Sequence, residues 1–162
     1  MSNEWEVQKI RESILDADRF GRNADIEHQV SYQACLEVIN GIFALTDFGF
    51  AASTSELYSK SIVMDLDGAQ LNRADRVQRS LARQENKNRR TRHVISNFLF
   101  KLIDSRTAYG LSIVTIYHED DRSRQGVSPL AVADCTDVFR FEEDGRWRVI
   151  YRNLSTVAGA AH

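Results

Sequence analysis

Several features that mark other classes of protein are missing from this sequence. Its 162 residues contain a single proline, Pro129, and two cysteines, and no Pro/Gly-rich linker divides the chain. No apolar run approaches the roughly 18 residues that a membrane-spanning helix needs. Cys35 and Cys135 belong to no C-x-x-C motif, which excludes a disulfide-rich scaffold and favours two free thiols. These absences predict one domain over residues 1–162, with no transmembrane segment.

The charge balance points away from nucleic acid and membranes as partners. The formal net charge is -2, so no overall field attracts polyanions. Arg76, Arg79 and Arg83 form a basic stripe that could meet phosphates, but the lack of interleaved aromatic residues favours a solvated helix face. The opening MSNEWEVQKI has no apolar signal-peptide core, so we expect a cytoplasmic protein.

The histidines do not follow a metal-binding pattern. None of the four makes an H-x-x-x-H or H-E-x-x-H spacing, and neither cysteine lies in a Cys/His cluster. We therefore predict no metal site and no other cofactor.

Helical periodicity dominates the first half of the chain. Apolar residues recur every three or four positions over residues 3–19 and again over residues 25–45, the first of these lying in an N-terminal helical extension of residues 1–22. Asn72 precedes a third helix, whose third position is Asp75. This pair predicts a capped N-terminus.

Strand-like sequence dominates the second half. Four stretches rich in β-branched and aromatic residues are separated by short turns, and they cover residues 91–103, 107–118, 130–142 and 146–155. Regular spacing with short connections predicts antiparallel pairing. Helices followed by strands predict an α+β fold in which about three helices pack on one face of a strongly curved, mostly antiparallel sheet that encloses a pocket.

One strand and one helix end carry the candidate chemistry. Strand alternation would place His93, Ile95 and Asn97 on one face, where an imidazole and a carboxamide need partners. Asp47 directly follows the second helix and could meet His93 in the pocket. For each residue taken alone a structural role is favoured, but a carboxylate on one imidazole nitrogen would leave the other nitrogen as a proton acceptor.

Three runs of sequence resemble the SnoaL-like families. They are ACLEVINGIFALTDFGFAASTSELYSKSIVMDLDG, TRHVISNFLF and FRFEEDGRWRVIYRNL, and the likeness covers about residues 25–157. These families belong to the cone-shaped superfamily of nuclear transport factor two, ketosteroid isomerase, scytalone dehydratase and lindane dehydrochlorinase. The resemblance implies a cone-shaped α+β barrel in which Asp47 and His93 form a catalytic dyad, and Arg152 matches a pocket arginine.

Residues and resemblance together favour a cofactor-independent lyase or isomerase. Its substrate would be a small apolar cyclic or aromatic metabolite, with His93 as general base and Asp47 as its orienting partner. The candidate substrate-binding residues are Asn97, Arg152, Tyr58 and Tyr117. The alternative is a non-catalytic ligand-binding or assembly module of the same fold, such as a small β subunit of a dioxygenase.

A homo-oligomer is also expected. Strand alternation would place Val94, Phe98 and Phe100 on one face of the first long strand. If that face is the outside of the cone, it is too apolar to remain in contact with water.

Overall fold

The computed structural model describes residues 5–119 and 130–159, which hold three α-helices and six strands. The helices are α1 (Val7–Ile14), α2 (Ile26–Asp47) and α3 (Arg73–Glu85), with short 3₁₀ turns at Ala17–Arg19 and Ala51–Leu57. The strands are β1 (Tyr58–Leu66), β2 (Ala69–Leu71), β3 (Arg90–Asp104), β4 (Thr107–Glu119), β5 (Ala131–Phe141) and β6 (Trp147–Gly159).

The six strands form one sheet in the order β2-β1-β6-β5-β4-β3. All neighbouring pairs are antiparallel except β1 and β6, which run parallel. The four long strands of the second half follow one another as a meander, and short turns join β3 to β4 and β5 to β6. The predicted α+β fold, a cone-like sheet packed with helices, is confirmed.

Helix α2 lies along the inner face of the sheet and ends beside β3. Its N-terminus is capped by Asp25, whose side chain accepts a hydrogen bond from the backbone of His28 at 2.8 Å. The helix continues past the predicted end at residue 45 to Asp47 and stops where Gly49 takes a φ of 89°. In the described ranges, no helix combines the length and apolar character needed to cross a membrane.

Helix α1 packs on the opposite, outer face of the sheet. Ile10 and Ile14 are buried against Val138 and Tyr151, whereas the neighbouring Phe139 points into the inner core with α2. The prediction that the helices share one face of the sheet is therefore wrong for α1. The predicted helix over residues 3–19 also stops earlier, at Ile14, before the separate 3₁₀ turn.

Helix α3 begins with a reciprocal cap and ends against β3. The Asn72 side chain accepts from the Asp75 backbone at 3.1 Å, and the Asp75 carboxylate accepts from the Asn72 backbone at 3.0 Å, which confirms the predicted cap. In the last turn, Arg83 donates to the Thr91 hydroxyl at 3.1 Å. The C-terminal end of α3 is thereby tied to the start of β3.

A bulge interrupts β3 shortly after His93. The register with β4 shifts between Ser96 and Leu99, and Asn97 within it has a φ of 51° and an exposed side chain. Asparagine tolerates this left-handed conformation better than most residues. The predicted alignment of Asn97 with His93 on a regular strand face is therefore wrong.

The bulge also changes which aromatic residues of β3 face inward. Ile95, Phe98 and Phe100 all pack in the inner core, the side on which the His93 ring contacts Phe43. Phe98 and Phe100 thus do not join Val94 on the outer face as predicted. Val94 is 50% exposed, whereas Phe100 is only 5% exposed.

Candidate active site

Asp47 and His93 come together where α2 ends beside the first strand of the meander. The Nδ1 atom of His93 lies 2.6 Å from Oδ1 of Asp47, and both side chains are largely buried, at 12% and 5% exposure. The imidazole ring packs on Phe43 of α2, with 4.8 Å between ring centres. The predicted contact between the two side chains is present in the structure.

Three donors hold the Asp47 carboxylate. Oδ1 accepts from His93 Nδ1 and from the Thr91 hydroxyl at 2.8 Å, and Oδ2 accepts from the His93 backbone at 2.7 Å. Burial alone would raise the pKa of Asp47, but the hydrogen bonds from His93 and Thr91 outweigh it and bring the pKa below its ordinary value. The carboxylate is therefore ionised at neutral pH.

An ionised Asp47 fixes the tautomer of a neutral His93. A carboxylate only accepts hydrogen bonds, so Nδ1 carries the proton and Nε2 carries the lone pair. Within residues 5–119 and 130–159, no hydrogen bond to Nε2 is formed. This geometry provides an imidazole nitrogen that can take up a proton.

Arg152 and Tyr58 lie in a buried polar group on the same inner face. The guanidinium of Arg152 makes a two-pronged contact with Asp137, at 2.7 and 2.9 Å, and donates to the Tyr58 hydroxyl at 3.1 Å. Burial opposes the charge, but Asp137 outweighs it and keeps the pKa of Arg152 well above its ordinary value. Phe43 links this group to the dyad, since the Arg152 guanidinium lies 5.2 Å from the Phe43 ring centre.

The structure does not bring Asn97 and Tyr117 to the dyad. Asn97 is exposed in the bulge. Tyr117 follows Ile116, which pairs with His93 and points into the inner core, so strand alternation turns Tyr117 to the outer face. The structure therefore places neither Asn97 nor Tyr117 beside His93, and their part in substrate binding stays a prediction.

The sequence model of one domain family matches residues 27–153 under the description SnoaL-like domain. This chain belongs to the SnoaL-like family. The match covers α2, all of α3 and the strands up to the middle of β6, and therefore includes both Asp47 and His93. Helix α1 lies outside it. A search of curated protein sequences finds no significant match.

Solved structures show the same fold at low sequence identity. A provisionally assigned scytalone dehydratase from Novosphingobium aromaticivorans is 16% identical, with a TM-score of 0.72 over 84% of this chain and 90% of that one. LinA is 14% identical, with a TM-score of 0.71 over 85% and 93% of the two chains. ActVI-ORFA from Streptomyces coelicolor is 11% identical, with a TM-score of 0.67 over 78% and 98%. These likenesses show that the chain shares the cone-like α+β fold of these proteins.

Sequence reasoning missed two residues that surround the dyad of this SnoaL-like domain. Thr91 lies two positions before His93, so strand alternation alone could have placed both side chains on one face. The sequence predicts that Arg83 lies on a solvated helix face, but its side chain reaches Thr91. Sequence reasoning also missed Asp137, although it shares one face of β5 with Ala133, Cys135 and Phe139, where a carboxylate needs a buried partner.

The two cysteines of the SnoaL-like domain are buried where reagents in solution cannot reach them. Cys35 and Cys135 are free thiols buried in the core, and burial raises the pKa of each thiol far above its ordinary value. Among the described residues, no three His, Cys, Asp or Glu side chains gather as a metal site.

A surface cleft of about 470 Å³ lies apart from the dyad. Charged side chains near the β5–β6 turn line it, among them Lys60, Arg140 and Arg148. Arg148 is neutralised by contacts with Glu142 and Asp144 at 2.6 and 2.7 Å. Neither dyad residue borders this cleft, so the pocket predicted beside His93 stays a prediction.

Proposed function

We propose that this SnoaL-like domain is a cofactor-independent lyase or isomerase in which His93 is the general base. The observation that carries the proposal is the 2.6 Å contact between His93 Nδ1 and Asp47 Oδ1. The family assignment supports it, because the same fold occurs in proteins named as dehydratases. The proposed reaction begins with removal of a proton from carbon or from a hydroxyl group.

The proton would move to Nε2 of His93. In the neutral ring Nδ1 already donates to Asp47, so Nε2 is the nitrogen with the free electron pair. The resulting imidazolium is stabilised by the ionised Asp47, which keeps its own charge throughout. A positioned base of this kind contributes about 10²- to 10⁴-fold to a rate.

The proposed substrate is small, apolar and cyclic or aromatic. The inner face between α2 and β3 is rich in aromatic rings, with Tyr32 packed against Phe98 and Phe100 at ring separations of 5.6 and 5.8 Å. Such surfaces favour flat apolar ligands, in the way that most small-molecule sites are apolar with a few placed polar groups.

Tyr58 is the proposed donor to a substrate oxygen, with Arg152 as its support. An arginine side chain can only donate, so the Tyr58 oxygen accepts from Arg152 and the phenol proton points elsewhere. Since all three nitrogens of Arg152 already have partners, its contribution would be its charge. The pair would steady negative charge that develops on the substrate.

The test is exchange of substrate hydrogen with solvent deuterium. The protein is incubated in D₂O with cyclic ketones and hydroxyketones, scytalone among them, and exchange at carbon is followed by proton NMR. We expect exchange with the wild type and at least a hundredfold loss in His93→Gln. The matched control is Arg79→Met, which changes an exposed residue of α3 and should keep the wild-type rate.

Two outcomes would contradict the proposal. Exchange at the wild-type rate in His93→Gln would mean that another group is the base. Saturable binding of the same compounds without exchange or turnover would favour the alternative, a ligand-binding or assembly module.

A further inference from the structure

The Thr91 hydroxyl connects the dyad to helix α3. It is 4% exposed and lies between two partners, Asp47 Oδ1 at 2.8 Å and Arg83 Nη2 at 3.1 Å. A guanidinium has no acceptor, so Arg83 must donate to the Thr91 oxygen. The single hydroxyl proton is then directed at Asp47, and the direction of the whole chain of contacts is fixed.

Thr91 and His93 approach the same carboxylate oxygen. Both belong to β3 and are two positions apart, so their side chains leave the strand on the same side. Oδ1 therefore receives one donor from each, while Oδ2 is held by the His93 backbone. Rotation of the carboxylate about its last bond would break all three hydrogen bonds.

The charges around Asp47 come from two elements. On β3 they are Arg92, which donates to the Asp47 backbone oxygen at 3.2 Å, and His93 when it is protonated. On α3 the charge is that of Arg83. It polarises the Thr91 hydroxyl and so strengthens the hydrogen bond from that hydroxyl to the carboxylate. A hydrogen bond to an ionised group is stronger than one between neutral groups.

We propose that Arg83 and Thr91 are positioning residues that hold Asp47 ionised and aligned with His93 Nδ1. This inference rests on the proposed function, because it assigns the two residues a task within the same dyad. Neither touches the proposed substrate. We call the contacts from Arg83 to Thr91 and from Thr91 to Asp47 the relay. With the relay in place, the carboxylate does not turn away or take a proton when His93 becomes charged.

The direct test uses NMR titration and needs no substrate. The ¹³C signal of the Asp47 carboxyl and the ¹⁵N signals of His93 are followed against pH in the wild type and in variants. We expect Thr91→Val, which keeps the shape and removes the hydroxyl, to raise the Asp47 midpoint by about one pH unit. Arg83→Met should raise it by less, and Thr91→Ser should restore the wild-type value.

Matched controls separate positioning from general damage. Thr115→Val makes the same change on the outer side of β4, and Arg79→Met makes the same change on an exposed part of α3. Neither should move the Asp47 midpoint. A Thr91→Val midpoint equal to that of Thr115→Val would overturn the relay. If Thr91→Val does not fold, Arg83→Met decides the question, and an Asp47 midpoint equal to that of Arg79→Met would overturn the relay.

The pH dependence of the deuterium exchange rate provides a second measurement. It would not change if Thr91 were only a structural residue. Without the hydrogen bond from Thr91, the Asp47 carboxylate is more basic and stabilises the imidazolium of His93 more strongly. The acid limb of the rate profile should therefore move to higher pH in Thr91→Val. Exchange by the wild type with an unchanged Asp47 midpoint in Thr91→Val overturns the relay and leaves the proposed function standing. Shifted midpoints without any exchange by the wild type support the relay and overturn the function.

Discussion

Asp47 accepts two hydrogen bonds from one residue, His93, although the two are 46 positions apart in the chain. One oxygen meets the imidazole and the other meets the backbone N–H of the same residue. The end of α2 is therefore fixed to β3 through both the main chain and the ring. The hydrogen bond from the His93 backbone to Asp47 does not depend on the position of the imidazole ring. The carboxylate therefore keeps its place when the imidazole changes charge.

The first prediction concerns the dependence of stability on pH. The pKa of Asp47 is lowered in the folded protein, so its contribution to stability is complete above the unfolded value of about 3.9 and is lost as pH falls through the lower, folded value. Asp47→Asn should reduce stability at pH 7 by about 1–3 kcal/mol. The difference from wild type should shrink below about pH 4.

Urea denaturation between pH 3 and pH 7 measures this difference. Asp18→Asn changes an exposed aspartate and serves as the control. A constant gap between wild type and Asp47→Asn at every pH would mean that the charge of Asp47 does not stabilise the fold.

The second prediction concerns the buried ion pair of Arg152 and Asp137, which are 2% and 0% exposed. Arg152→Met would leave the Asp137 carboxylate buried without its partner, at a cost of about 3–5 kcal/mol. Replacing both, as Arg152→Met with Asp137→Leu, should recover much of that loss. Chemical denaturation compares the wild type with these two variants, and a double variant less stable than Arg152→Met would contradict the account.

The third prediction concerns the packing of α1 on the outer face. Ile14 is fully buried there, so Ile14→Ala should cost about 2–5 kcal/mol and lower the thermal midpoint. Ile26→Ala removes the same atoms from a site that is 79% exposed and should cost less than about 0.5 kcal/mol. Equal losses in the two variants would show that α1 does not pack on the sheet.

Much of the fold and the central contact could be predicted from the sequence. Periodicity identified α2 and the four long strands, because each buries one face of a regular element. The meeting of Asp47 and His93 followed from a helix-end carboxylate, an inward-facing strand residue and the resemblance to SnoaL-like proteins. The capping pair Asn72 and Asp75 was a purely local signal.

The remaining errors arose where local pattern does not determine position. The bulge at Asn97 inserts an extra residue without any glycine to mark it, and it reverses the facing of Phe98 and Phe100. An amphipathic helix has one apolar face, but the sequence of α1 does not say which side of the sheet will receive it. The contact of Arg83 with Thr91 depends on where α3 ends in space.

The fourth prediction is that the protein forms a homo-oligomer. Val94 and Ile103 remain 50% and 41% exposed on β3, and a second chain that covered them would remove this apolar surface from water. Light scattering at micromolar concentration should give a mass of at least two chains. A monomer under those conditions would contradict this prediction without affecting the dyad.

The dyad itself is tested most directly by a double-mutant cycle on the rate of deuterium exchange, with His93→Gln, Asp47→Asn and the two combined. Residues that act as one unit do not contribute additively. We therefore predict that each single variant loses at least about a hundredfold in rate, and that the combined variant loses little more than His93→Gln alone. Losses that multiply in the combined variant would show that Asp47 and His93 act independently, and would contradict the account.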